Sequence, residues 1–139
     1  MAELTDEQIA KIVDGAKALD EAYRRYERYE EPFTLVAAAG DNTFDGRRVK
    51  GNRILVITHM SGYDATNAPT YGRLGFWNRT RYVWVRIVPA PLVLETVEFN
   101  GELYLQEGMW PVIQFNGATL NDDLHALIEG YWVRAPRIS

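Results

Sequence analysis

Residues 5–31 carry the hydrophobic pattern of one long helix. Apolar residues recur at alternating spacings of three and four positions, which is the period of one helical face. Thr5 and Gln8 have the spacing of a capping box, in which each side chain bonds the other residue's backbone, and Pro32 ends the pattern. We therefore predict an amphipathic helix over residues 5–31, whose apolar stripe consists of Ile9, Ile12, Ala16, Leu19, Tyr23 and Tyr26.

This stripe admits two packing partners. Its heptad rhythm is typical of a coiled-coil seam, which predicts that the helix joins the chain to other subunits as an oligomerisation or attachment arm. The alternative is a helix that lies on its own domain, because Val13, Ala22 and Tyr29 widen the stripe. Gly15 inside the helix would cost about 1 kcal/mol relative to alanine. Contact between subunits is the interpretation we favour.

After Pro32 the pattern changes to short runs rich in β-branched and aromatic residues, separated by turn signals. Asn100-Gly101 is the strongest hairpin signal, and Pro89-Ala90-Pro91 forces a break. Residues 41–46 are predicted to form a turn and residues 61–70 a loop. The pattern predicts eight strands, over residues 33–38, 53–60, 71–77, 81–88, 95–99, 102–106, 111–115 and 125–133.

Short strands with frequent turn signals are typical of an all-β sandwich or barrel. We predict a mainly β fold, an antiparallel β-sandwich of the jelly-roll kind preceded by the long N-terminal helix. The domain boundary is predicted at Pro32, with the helical arm over residues 1–31 and the sandwich over residues 32–139.

Charge narrows the class of partner. Residues 1–31 hold five Lys and Arg against nine Asp and Glu, so the whole net charge of −4 lies there. A body without a basic stripe argues against nucleic acid and against an anionic membrane surface as partners. No apolar run is long enough to cross a bilayer, and the acidic first residues are not typical of a signal peptide. We therefore expect synthesis in the cytoplasm.

Residue types that carry catalysis are sparse. The chain has no cysteine, and its two histidines, His59 and His125, lie in separate predicted strands, so the sequence offers neither a thiol nucleophile nor a histidine cluster for a metal. Glu98 and Glu102 alternate with apolar residues, as the solvated face of a hairpin does. We predict no enzyme, no catalytic residue and no cofactor. The alternative is a small sandwich enzyme with His59 or His125 beside a carboxylate.

Residues 41–46 mimic the start of a calcium loop, with oxygen donors at alternate positions followed by glycine. Asn52 stands where such a loop has its bidentate glutamate, so an Asx-type turn is the better interpretation and no metal ligand is assigned. A weak calcium site at Asp41 and Asp45 stays open, as does one at residues 121–123.

Aromatic residues in or beside strands are the remaining binding candidates. Tyr71, Arg73 and Trp77 alternate along one predicted strand and should share a face. Tryptophan, tyrosine and arginine are enriched at protein interfaces, and we predict an interface formed by Trp77, Tyr82, Trp84 and Arg86. The alternative is a carbohydrate-binding module, which would need a coplanar strip of exposed tryptophans such as Trp77 and Trp84.

Five stretches have a distinctive texture: residues 54–60, the loop of residues 63–69, the hairpin of residues 74–84, residues 103–108 and the closing Gly-Tyr-Trp of residues 130–132. In this texture the chain resembles small virion proteins of tailed bacteriophages, of the head-decoration, head-fibre and neck or tail-adaptor kinds. The resemblance implies a helical arm joined to a jelly-roll-like domain, a symmetric oligomer and a location in the virion.

The functional hypothesis is a non-enzymatic structural component of a phage particle. Its expected partners are other copies of itself, with a trimer favoured, and capsid, neck or tail proteins. Glycans are the partners expected under the carbohydrate-binding alternative.

Overall fold

One short helix and eight strands make up the part of the chain that the computed structural model describes, residues 5–12, 14 and 27–134. Helix α1 covers residues 6–12. The strands are β1 (Glu27–Val36), β2 (Gly40–Asp45), β3 (Arg53–Asp64), β4 (Tyr71–Trp77), β5 (Tyr82–Pro89), β6 (Val97–Leu105), β7 (Trp110–Ala118) and β8 (Asp123–Arg134). Among the described residues, no helix has the length and apolar character needed to cross a bilayer.

The strands form two four-stranded sheets that pack as a sandwich. One sheet has the order β1-β8-β3-β6 and the other β2-β7-β4-β5, and every neighbouring pair is antiparallel. This order is that of an eight-stranded jelly roll. Consecutive strands lie in opposite sheets, except for β4 and β5, which are neighbours in one sheet. The predicted mainly β sandwich is therefore confirmed.

The core lies between the sheets and is built from alternate residues of their strands. Leu55 and Ile57 of β3 face Leu74 of β4 and Phe115 of β7, and all four side chains are fully buried. Each such side chain stabilises the fold by about 1.5–3 kcal/mol relative to an exposed one. Outward residues of the same strands are thereby left for binding.

The long helix predicted over residues 5–31 is wrong at its C-terminal end. Its last residues belong to β1, which pairs with β8 from Glu27 to Val36, and the described helix is short. Tyr29 is buried against Trp132, with ring centroids 5.6 Å apart, so packing outweighs the helical propensity of this segment. Pro32 is tolerated because β1 is an edge strand. Residues 13 and 15–26 of the predicted helix lie outside the described residues.

The start of the predicted helix is confirmed. The Thr5 N–H donates to Gln8 Oε1 at 2.9 Å, and the Gln8 N–H donates to Thr5 Oγ1 at 3.2 Å. These are the two reciprocal bonds of a capping box, and they satisfy two backbone donors at the first turn of α1.

Two predicted turns are wrong. Residues 41–45 belong to β2, and Asn100-Gly101 lies inside β6 instead of joining two strands. At Asn100 the pairing of β6 with β3 shifts register, which is a β-bulge, and the Asn100 side chain bonds His59 of β3. Local turn propensity is therefore overridden by long-range pairing. The predicted loop of residues 61–70 begins late, because β3 continues to Asp64.

Candidate functional site

The outer surface of the β2-β7-β4-β5 sheet carries an unusual concentration of aromatic side chains. Leu74 of β4 points into the core, so the residue directly before it, Arg73, points outward, as do Tyr71 and Trp77. The hairpin pairing of β4 with β5 sets Trp77 opposite Tyr82. Strand β7 sets Trp110 opposite Trp77 on the other side. We call this surface the aromatic–arginine face and define it as Tyr71, Arg73, Trp77, Tyr82, Trp84 and Trp110.

Four of its rings form one continuous row across three strands. Trp110 stacks on Trp77 with centroids 5.5 Å apart and an interplanar angle of 20°. Trp77 meets Tyr82 edge-on at 5.0 Å and 68°, and Tyr82 stacks on Trp84 at 5.4 Å and 23°. Since Trp77 is steeply inclined to Tyr82 whereas Tyr82 is nearly parallel to Trp84, the two tryptophans are not coplanar. The flat strip that a sugar platform needs is not formed by this pair.

Arg73 extends the row beyond Trp84. Its guanidinium carbon lies 5.7 Å from the ring centroid of Trp84 and 5.4 Å from that of Tyr71, a cation–π position over both. The Arg73 Nε is buried and has no hydrogen-bond partner in the described part of the chain. A buried donor without a hydrogen bond is costly, and burial also closes this nitrogen to solvent.

Polar side chains of β7 border the row. Gln114 Nε2 donates to Thr43 Oγ1 at 2.9 Å, and Asn116 Nδ2 donates to Gln114 Oε1 at 3.0 Å. Asn116 Oδ1 is buried and, within the described residues, accepts no hydrogen bond. The face therefore combines aromatic surface with one unpaired donor and one unpaired acceptor.

A pocket lies at the Trp110 end of the face. It has a volume of about 470 Å³ and is lined by Arg48, Trp77, Arg79, Glu107, Gly108 and Trp110. Arg79 has a positive φ of 88°, and its Nε donates to the Glu107 carbonyl oxygen at 2.6 Å. Neither Arg48 nor Arg79 forms an ion pair with any described carboxylate. The pocket thus combines two arginines and one glutamate with stacked tryptophans, and the arginines leave it with a net positive lining.

Tyr82 borders this region as a hydrogen-bond donor. Burial, followed by the negative charge of Asp45, raises the pKa of the Tyr82 hydroxyl. Asp45 itself accepts a 3.0 Å hydrogen bond from Trp110 Nε1, which fixes the orientation of that ring. The hydroxyl of Tyr82 therefore stays protonated at neutral pH.

The predicted interface residues are only partly brought together. Trp77, Tyr82 and Trp84 lie in one row, as expected. Arg86 does not join them, because the register shift between Leu74 and Gly75 sets Arg86 opposite the core residue Leu74. Arg86 is exposed because β5 is an edge strand. Arg73 of β4 lies beside Trp84 instead, with its guanidinium carbon 5.7 Å from the ring centroid.

The predicted oligomerisation residues divide between described and undescribed parts of the chain. Ile9 and Ile12 lie on α1 and are 45% and 60% exposed. Ala16, Leu19, Tyr23 and Tyr26 lie outside the described residues. The described part of the stripe is thus not covered by the chain's own sandwich.

The histidines pair separately with neighbouring strand residues. His125 Nε2 lies 2.9 Å from Asp123 Oδ2, and its ring stacks on Tyr63 at 4.9 Å. His59 Nδ1 lies 2.8 Å from Asn100 Oδ1. Across the described ranges no group of three or more His, Asp or Glu could hold a metal ion. Asp41 and Asp45 lie on an extended strand, which does not wrap oxygen donors around one ion as a calcium loop does.

Sequence reasoning missed a pair of buried carboxyl groups, Asp64 and Asp122, which are each 1% exposed. Burial, and the hydrogen bond to Asp122, raise the pKa of Asp64. Burial opposes ionisation of Asp122 as well, but hydrogen bonds from Asp64, Asn67 and Thr119 outweigh it and lower the pKa of Asp122. The two pKa shifts have opposite directions, so the surroundings favour the protonated form of Asp64 and the ionised form of Asp122. No local motif announces it, because residues 58 positions apart meet only through the pairing of β3 with β8.

Comparison with known proteins gives fold-level likeness and no family. No protein-family model matches the chain, and no curated protein matches it. Similar solved structures include a Bacillus endospore appendage from a family of disulfide-linked pili, with 10% identity over 80% of this chain and 89% of that one, at a TM-score of 0.48. The N-terminal cellulose-binding domain of a Cellulomonas fimi β-1,4-glucanase has 10% identity over 81% and 90%, at 0.34. A chain of infectious bursal disease virus, Gx strain, has 6% identity over 81% and 41%, at 0.30. Function is argued below from the chain's own residues.

Proposed function

We propose that this chain is a non-enzymatic structural subunit that assembles with other copies of itself, and that the aromatic–arginine face is its contact surface. The observation that carries this proposal is the continuous row of four rings ending in Arg73, whose guanidinium lies over Tyr71 and Trp84. Aromatic residues and arginine dominate the binding energy of protein interfaces, where they pack into desolvated centres.

Ring geometry favours a protein partner over a sugar. Trp77 stacks on Trp110 and Tyr82 stacks on Trp84, so each of these rings already uses one face within the row. The inclination between Trp77 and Tyr82 breaks the row into two planes. An irregular aromatic ridge of this kind suits the side chains of a second protein, whereas a sugar ring needs a flat exposed ring face.

The particle that we propose for this subunit is that of a tailed phage, as a capsid decoration, neck or tail attachment protein. This finer assignment is supported by the resemblance in texture and by a sandwich that follows an N-terminal helical segment. Capsid, neck or tail proteins would then be further partners, and the protein would reside in the virion.

The test is self-association of the full chain by sedimentation over a concentration series. We expect Trp84→Ala to weaken association about thirtyfold, since a central interface aromatic contributes about 2 kcal/mol. Tyr82→Ala, at a more exposed side chain of the same row, should act in the same direction. Tyr104→Ala is the matched control, because Tyr104 is a 62% exposed aromatic on the other sheet.

Two results would overturn the proposal. One is unchanged association of both row variants. The other is binding of the wild-type chain to a glycan array that is lost in Trp84→Ala, which would establish the carbohydrate-binding alternative instead.

A further inference from the structure

Helix α1 exposes apolar side chains that need cover. Ile9 and Ile12 are three positions apart and so lie on one side of the helix, at 45% and 60% exposure. Helices shorter than about 12–15 residues are marginal alone in water, and the described residues of α1 bury none of their side chains. A partner surface for this side of α1 is therefore required.

The pocket beside Trp110 has the complementary chemistry. Arg48 and Arg79 carry positive charge without an ion-pair partner among the described residues, next to the stacked Trp77 and Trp110. Helix α1 brings Asp6 and Glu7 in its first turn, one turn from Ile9. Carboxylates and an aliphatic side chain on one helix thus match guanidinium groups and aromatic rings in one pocket.

The chain enters its sandwich at the end where the pocket lies. Glu27 begins β1 with its carboxylate 3.6 Å from Arg53, and the Tyr29 hydroxyl accepts a 3.2 Å hydrogen bond from the Arg47 N–H, next to Arg48. Residues 15–26 connect α1 to β1, and a chain of this length spans at most about 45 Å. The pocket of the same chain is not occupied by α1, whose described side chains are all exposed.

We infer that α1 of one copy docks in the Trp77–Trp110 pocket of a second copy, with Asp6 and Glu7 facing Arg48 and Arg79 and the isoleucines against the tryptophans. This inference rests on the proposed function and names the segment that occupies one end of the contact surface. Each copy gives one arm and receives another, so the contact is head-to-tail and produces a closed ring or an open chain of subunits.

The experiment measures the absolute mass of full-length variants by light scattering. Arg48→Glu combined with Arg79→Glu reverses the pocket charge at exposed side chains, and should weaken association at least about tenfold. Asp6→Lys combined with Glu7→Lys should do the same. The four changes in one chain restore opposite charges and should recover the wild-type mass. Arg81→Glu, an exposed arginine of the same turn outside the pocket lining, is the control.

The remaining outcomes each contradict either the docking of α1 or the assembly itself. If pocket reversal leaves the mass unchanged while Ile9→Asp with Ile12→Asp dissociates the protein, the arms pair with each other as a coiled coil. The inference is then wrong, while the proposed contact at the aromatic–arginine face is decided separately by Trp84→Ala and Tyr82→Ala. Failure of the four-change chain to recover the mass also overturns the inference. A wild-type chain that stays single at every concentration overturns both the inference and the proposed assembly.

Discussion

At the scale of single residues, Asp64 and Asp122 show how strand pairing creates a property that neither residue has alone. Both carboxyl groups are buried, and Asp64 Oδ1 already accepts two backbone N–H bonds, from Thr66 and Asn67. Asp64 Oδ2 receives no hydrogen bond from any described donor, so it is satisfied when it carries the proton and donates to Asp122. The surroundings of Asp64 therefore favour its neutral form.

This preference for the neutral form predicts how the free energy of unfolding depends on pH. Because the folded state raises the pKa of Asp64, the protonated group stabilises the fold fully below its unfolded pKa, and this contribution is lost as pH rises through the folded pKa. The pKa of Asp122 is shifted in the opposite direction, so the stability that its ionised form contributes is lost as pH falls through its lowered folded pKa. Asp64→Asn keeps a neutral donor toward Asp122, so we expect it to retain stability within about 1 kcal/mol and to remove the loss at rising pH.

Urea unfolding of the wild type and Asp64→Asn over a pH series checks this prediction. Asp41→Asn at an exposed carboxylate is the control and should follow the wild-type curve. Identical pH profiles for wild type and Asp64→Asn would show that the pair does not hold a proton in the folded protein.

At the scale of elements, the sequence predicted strands well where the pattern reports burial directly. The apolar run of residues 54–57 marks β3, where Leu55, Val56 and Ile57 are all buried, and the β-branched and aromatic residues around Trp84 mark β5. Asn100-Gly101 and residues 27–31 were misassigned for a common reason. Their local propensities favour a turn and a helix, whereas pairing with β3 and β8 decides their structure.

Strand β1 gives a prediction that separates these two accounts of residues 27–31. Tyr29 is 5% exposed and packs edge-on against Trp132, so Tyr29→Ala should reduce the free energy of unfolding by about 3–5 kcal/mol. Tyr104→Ala, at a 62% exposed ring, should change it by less than about 0.5 kcal/mol. Denaturant unfolding followed by circular dichroism measures both. A loss at Tyr29 as small as that at Tyr104 would contradict the burial of β1 in the sandwich.

At the scale of the whole molecule, the candidate site is a product of topology. From the hairpin, the sequence predicted Trp77, Tyr82 and Trp84 as binding candidates, and the structure places these three rings in one row. The sequence could not place Trp110 beside Trp77, because that contact depends on β7 lying next to β4. The bulge in β5 sets Arg86 apart from the row and leaves Arg73 beside Trp84. The spacing of residues in the sequence does not predict this bulge. Arg48 and Arg79 come from two different loops to line one pocket, and no motif in the sequence predicts that pocket.

The jelly-roll order also gives the molecule two outer surfaces of different composition. The β1-β8-β3-β6 sheet carries the histidine pairs and exposed Tyr104, and the β2-β7-β4-β5 sheet carries the aromatic–arginine face. The N-terminal segment, which holds the net negative charge, enters beside the positively charged pocket. Each subunit therefore has one negatively charged arm and one separate pocket, which are the two different surfaces that the proposed head-to-tail contact needs.

The measurement that tests the central claim most directly is hydroxyl-radical footprinting of the full chain, under assembling conditions and after dilution. Tyr71 and Tyr82 are each 38% exposed in the single chain and belong to the proposed contact face, whereas Tyr104 is 62% exposed on the opposite sheet. We predict that concentration protects Tyr71 and Tyr82 from oxidation and leaves Tyr104 reactive. Protection of Tyr104 with unchanged Tyr71 and Tyr82 would place the contact on the other sheet and contradict the assignment of the aromatic–arginine face.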